Sequence, residues 1–141
     1  MLSLATPGTI KGEKYQQLLE KYGEGVESLP CPGMMEFVEK GEVDSPALHA
    51  FLDELFAPYQ DNQPEAIVLG CTHYVFLKKA IAAHFPGVPL IDGNEGTVRQ
   101  LKHKLEERGI LAAENQGGVR FLSSGDTDAV KLMEKLLNSE E

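Results

Sequence analysis

The sequence predicts an α/β fold, a three-layer αβα arrangement around a mostly parallel sheet. Two observations carry that expectation. Four short apolar runs, at residues 1–5, 66–69, 88–91 and 119–122, alternate with longer segments whose apolar residues recur at helical spacing. Each strand is apolar on both faces, the pattern of a parallel sheet covered by helices on both sides.

The elements follow in order. Residues 1–5 make the first strand, cut off by Thr6, Pro7 and Gly8. The segment 11–22 reads as a helix, with Tyr15, Leu18, Leu19 and Tyr22 on one stripe. A second short helix is expected over 33–40, ended by Gly41. Ser45 before Pro46 is an N-cap followed by proline at the first helical position, and Leu48, Phe51, Leu52, Leu55 and Phe56 form the apolar face of the helix it opens. The next strand, 66–69, stops at Gly70. A helix over 75–85 closes at Pro86 and Gly87, and the stretch 86–89 is a faint linker candidate. Strand 88–91 precedes a helix over 95–108, and strand 119–122 precedes a last helix over 126–137, capped by the turn of Gly125 and Asp126.

Composition excludes several function classes. Charged residues make up 25% of the 141 and hydrophobic ones 42%, the balance of a folded globular chain. A formal net charge of -9 with no dense Lys/Arg cluster disfavours nucleic acid, whose binding is dominated by cation contacts to phosphate. The apolar runs are of strand length and residues 1–10 lack the features of a signal peptide, so the chain reads as cytoplasmic with no membrane partner. In a reducing compartment Cys31 and Cys71 are expected to be free thiols.

In open parallel sheets, reactive groups collect in loops just past the carboxyl ends of strands. Two such loops stand out. In Thr6-Pro7-Gly8-Thr9, two hydroxyls flank a glycine that lets backbone approach a ligand, although an ordinary turn with hydroxyl caps explains the same residues. In Gly70-Cys71-Thr72-His73, a thiol precedes a helix expected near Val75, whose dipole would favour the thiolate, and an imidazole two residues on can exchange its proton. A metal is not expected: no other Cys or His falls at ligand spacing, and His49, His84 and His103 are expected on solvated helix surfaces.

These residues also carry a resemblance. Ile67-Val68-Leu69-Gly70-Cys71-Thr72-His73-Tyr74 resembles the second cysteine motif of glutamate racemases. The segment Ala5 to Ile10 with Tyr15, the segment Cys31-Pro32 through Phe37-Val38-Glu39, Leu90-Ile91-Asp92, and Phe121 with Ser124-Gly125-Asp126 resemble further family segments in order. Val75 stands where the family usually has proline, Ser124 where it has threonine and Gly12 where it has serine. The family's first half, with an aspartate near its start and a Cys-Asn-Thr motif, has no counterpart in these residues.

The resemblance implies residues 1–86 as the racemase lobe that bears the second cysteine, and 87–141 as the segment that closes the other lobe. It implies interconversion of L- and D-glutamate without cofactor or metal, by one thiolate that removes the α-proton and a second thiol that reprotonates the opposite face. Cys71 is then one acid/base group, His73 its proton partner and Glu39 an acidic group at the site, distinct from Glu36 one turn earlier. Thr72, Thr6 and Thr9 are expected to contact substrate, and Cys31 to be a packed loop residue. With one thiol of two, the chain alone is expected to have low or no activity. Two other readings compete: a racemase for aspartate or another amino acid, against which His73 speaks, and a noncatalytic fragment that covers orphaned apolar surface by self-association.

Overall fold

A computed structural model describes residues 1–113, 117–125 and 127–138. Its centre is a four-stranded parallel sheet in the order β2-β1-β3-β4, built from β1 (Leu2–Ala5), β2 (Glu27–Pro30), β3 (Ile67–Leu69) and β4 (Leu90–Ile91). Around it run α1 (Pro7–Lys11), α2 (Glu13–Tyr22), α3 (Met34–Glu39), α4 (Pro46–Phe56), α5 (Lys78–His84), α6 (Asn94–Glu107) and α7 (Thr127–Asn138). The α/β class expected from sequence is the fold observed.

Every residue of β1 is buried, which explains why three of its four residues are apolar. Leu2 and Leu4 join the main core with Met34 and Val38 of α3, Leu48, Leu52 and Phe56 of α4, and Ile81 of α5. The three α4 residues sit four apart, one face of one helix. Ser3 points the other way, where the Tyr15 phenol of α2 donates to its hydroxyl at 3.0 Å and bonds Ser28 at 2.8 Å. The single buried polar side chain of β1 is therefore satisfied, as burial requires.

Several expectations need correction. Strand β2 carries little of the hydrophobic signal, because Glu27-Ser28-Leu29-Pro30 is an edge strand, where proline is tolerated and one side meets solvent. The helix expected over 11–22 is two helices broken at Gly12, and the first begins earlier, with Thr6 as its N-cap and Pro7 at its first position. Residues 119–122 form no strand: Val119 and Leu122 are 69% and 72% exposed, and no strand among the described residues pairs with them. Residues 86–89 are a tight turn rather than a linker, with Gly87 at φ +82° and the Pro89 carbonyl accepting the first ladder bond from Ile67. Asp126, expected to cap α7, lies outside the described residues. No described helix is long and apolar enough to cross a membrane.

Candidate active site

The carboxyl ends of β1, β2 and β3 are bound to one another. The Leu4 carbonyl accepts from Gly70 N–H at 2.8 Å, and the Ala5 carbonyl accepts from Cys31 N–H at 3.0 Å. A Cβ on Gly70 would stand 2.8 Å from the Leu4 oxygen, so only glycine lets the chain leave β3 at this spacing. Cys71 follows as the first residue beyond that contact.

The segment after Cys71 is a run of turns rather than the start of an α-helix. Tyr74 N–H bonds the Cys71 carbonyl, a 3-10 turn spans Tyr74–Leu77, and α5 begins only at Lys78. A full helix dipole aimed at the thiol, expected from sequence, is therefore absent, because the residues after Cys71 are too tightly wound and too few to align a long row of peptide dipoles. Val75 and Leu77 point into the core instead.

What faces the thiol is an imidazole. Cys71 Sγ lies 3.8 Å from His73 Nδ1, and His73 Nε2 lies 2.5 Å from Glu39 Oε1 at the end of α3. A carboxylate can only accept, so Nε2 carries a hydrogen toward Glu39 and Nδ1 offers its lone pair to the thiol. The three groups form a relay able to take a proton from Cys71 and hold it. Its side chains remain reachable: His73 is 27% and Glu39 57% exposed. Glu36, one turn earlier on α3, is not the residue that meets the imidazole.

The remaining candidates sit around this relay. Thr72 is exposed in the turn between Cys71 and His73. Thr6 and Thr9 bond each other through their hydroxyls at 2.9 Å, one strand away, and Thr6 also caps α1 by accepting from Thr9 N–H at 3.2 Å. Both the capping reading and a half-buried hydroxyl pair at a strand end thus apply to that loop. Cys31 is buried, 2% exposed, and donates to the Leu29 carbonyl at 3.3 Å. Burial pushes its thiol up to about 12, partly offset by a backbone bond to Ala5, and the negative charge of a Cys71 thiolate raises it further. Both cysteines are free.

Two supporting contacts have no signal in local sequence spacing. The Tyr74 hydroxyl donates to the Cys31 carbonyl at 3.3 Å, tying the β2 and β3 loops together inside the core. Lys78, the first residue of α5, pairs with Asp92 beyond β4, and Asp92 also accepts from Asn94 N–H at 2.7 Å; both bonds hold its carboxyl below the usual range. Their partners are distant in sequence, so only the fold brings them together. Among the described residues, no group of three or more His, Cys, Asp or Glu side chains could hold a metal ion.

The Asp/Glu/hydantoin racemase family model matches residues 3–101, which include the whole relay. The chain belongs to that family. Among curated members it is 38% identical to the glutamate racemase of Clostridium botulinum over 99% of this chain and 56% of that protein. It is 40% identical to the glutamate racemase of Clostridium acetobutylicum over 92% of this chain and 52% of that protein. Among solved structures, glutamate racemase from Francisella tularensis in complex with D-glutamate superposes with a TM-score of 0.80 at 28% identity, over 97% of this chain and 53% of that one. The chain thus spans about half the length of the family members it matches.

Proposed function

We propose that these residues form one half of the active site of a cofactor-independent glutamate racemase. The observation that carries the reading is the Cys71–His73–Glu39 relay at the carboxyl end of the central strands. Cys71, as thiolate, removes the α-proton of glutamate, and the electron pair left on the α-carbon spreads into the substrate carboxylate. A second thiol, supplied from outside these 141 residues, delivers a proton to the opposite face, giving inversion. His73 then accepts the proton from Cys71, with Glu39 holding the imidazole in the required tautomer. Thr72, Thr6 and Thr9 are proposed substrate contacts. In this reading residues 1–86 are the lobe of the second cysteine and 87–141 help to close the partner lobe. The reaction runs in the cytoplasm and supplies D-glutamate for peptidoglycan. The glutamate racemase identity of the relatives at 38–40% favours glutamate over aspartate.

The test is incorporation of deuterium at the α-carbon, followed together with optical rotation, for D- and L-glutamate in deuterium oxide. With Cys71 as the one thiol in the relay and Cys31 buried, the chain should show no inversion and at most slow, configuration-retaining exchange of one enantiomer, absent in Cys71→Ala. Adding a lobe that bears the second thiol should produce inversion dependent on Cys71. Inversion by the chain alone that survives in Cys71→Ala would refute the assignment.

One observation favours a second, noncatalytic reading. Helix α6 has no buried residue, and its Val98 and Leu101 are 65% and 58% exposed, a surface suited to self-association.

A further inference from the structure

Away from the relay, a second set of ionisable groups meets between α4 and α5. His49 Nδ1 on α4 faces His84 Nε2 at the end of α5 at 3.4 Å, with the rings stacked at 27° and their centroids 5.6 Å apart. The other nitrogen of each ring rests on a carboxylate. His49 Nε2 meets Asp44 Oδ1 at 2.9 Å, and His84 Nδ1 meets Asp53 Oδ1 at 3.4 Å. Lys79 of α5 approaches Asp44 Oδ2 at 4.0 Å. Phe56 meets His84 edge-on at 5.8 Å, and the His84 side chain is 9% exposed, which corrects its expected place on a solvated surface.

The Asp44 carboxylate decides where one hydrogen sits. It only accepts, so His49 Nε2 carries a hydrogen and a neutral His49 offers its Nδ1 lone pair to His84 Nε2, which donates across the gap. A single added proton leaves one N–H between the facing nitrogens. If both rings are cationic, two N–H groups and two positive charges share the same gap.

We propose that His49 and His84 share one hydrogen across this gap and have no room for a second, so that the α4–α5 contact is a latch released by acid. His84 is the ring that resists the second proton. Burial pushes it below the ordinary histidine value, Asp53 opposes that shift, and the charge of a protonated His49 adds to it. His49 lies on the more exposed side, and its bond holds the Asp44 carboxyl below its usual range, keeping an anion beside that ring.

The direction of the pH effect follows from linkage. A histidine whose folded value is lowered contributes stability that is fully present above the unfolded value of about 6.5 and is lost as pH falls through it. Unfolding then takes up one further proton, so the folding equilibrium constant falls up to about tenfold per pH unit in that window. Helix α5 begins directly after the turns that carry Cys71 and His73, so release of the latch loosens the platform under the relay.

The experiment is urea unfolding of the full chain between pH 5.5 and 8, together with nitrogen-detected NMR of the imidazoles. The wild type should lose stability below about pH 6.5, with one ring cationic and its neighbour still neutral there. His84→Gln should flatten that slope, and His49→Gln provides the same readout should the first variant fail to fold. Two rings that titrate independently at the ordinary value, or a slope unchanged in both variants, would overturn the proposal. So would stabilisation by added zinc that a chelator reverses, since a cation would then occupy the place assigned to the proton.

Discussion

Gly70 and Leu4 approach so closely that the Gly70 N–H donates to the Leu4 carbonyl at 2.8 Å while a Cβ on Gly70 would meet that same oxygen at 2.8 Å. The Ala5 Cβ would lie 3.2 Å away, so the new methyl meets a second crowded neighbour besides backbone. Gly70→Ala should therefore cost about 1–3 kcal/mol, the range for forcing extra volume into packed structure. It should also displace Cys71 from His73. Urea unfolding reads the first effect and the alkylation rate of Cys71 the second; a variant of wild-type stability and reactivity would show that β1 and β3 separate freely.

The two thiols should differ sharply in reactivity. With Cys31 pushed up to about 12 by burial, about one part in ten thousand is thiolate at pH 8, and the sulfur is shielded as well. Cys71 is partly exposed and faces an imidazole that can accept its proton. Iodoacetamide should label Cys71 faster by on the order of a hundredfold or more. Mass spectrometry of the folded protein identifies the site, and equal rates would contradict the burial of Cys31.

Cys31 also predicts an alkaline limit. Its folded value lies above its unfolded value near 9, so its contribution is fully present below about 9 and is lost as pH climbs toward 12. Burial raises Tyr59 to about 12 and also pushes Tyr74 up, so they add to the same trend. Cys31→Ala should reduce the alkaline slope by up to one proton, about 1.4 kcal/mol per pH unit, in unfolding curves taken from pH 8 to 11. An unchanged slope would assign the trend to the tyrosines alone.

The relay separates two glutamates that sequence places one turn apart. Glu39→Gln keeps a hydrogen-bonding group near His73 but removes the charge, and it should slow Cys71 alkylation near neutral pH by up to about tenfold, less where solvent screens the exposed carboxylate. Glu36→Gln should leave the rate unchanged. The pH profile of alkylation in both variants checks the claim, and equal effects would mean that Glu39 acts only through net charge.

Physical causes separate what sequence made legible from what it hid. Strands β1 and β3 were readable because burial on both faces leaves mostly apolar runs, and α4 because its cap, proline and stripe agree. The edge strand β2 was not, since one polar side and a terminal proline erase the pattern. Cys71 and His73 were legible as local neighbours. The contact of Glu39 with His73 spans 34 positions, and that of Tyr74 with Cys31 spans 43, so only the fold could reveal them as contacts. The dipole expected at Cys71 failed because periodicity does not distinguish a 3-10 entry from an α-helical one.

The apolar residues left in solvent lead to a prediction about assembly. Val98 and Leu101 stand three apart on α6, on neighbouring turns of one face, and Ile110, Val119 and Leu122 are also more than half exposed. Single exposed apolar side chains are ordinary, but several such residues within one C-terminal stretch make a surface that association would cover. Sedimentation of the chain alone should therefore show dimers or larger species that grow with concentration. Val98→Lys together with Leu101→Lys should shift the distribution toward monomer with little loss of stability, because neither side chain supports the core. Addition of a lobe bearing the second thiol should compete with self-association if both use this face. A monomer at high concentration with a sharp melting transition would show that the exposed face has no affinity for a second copy.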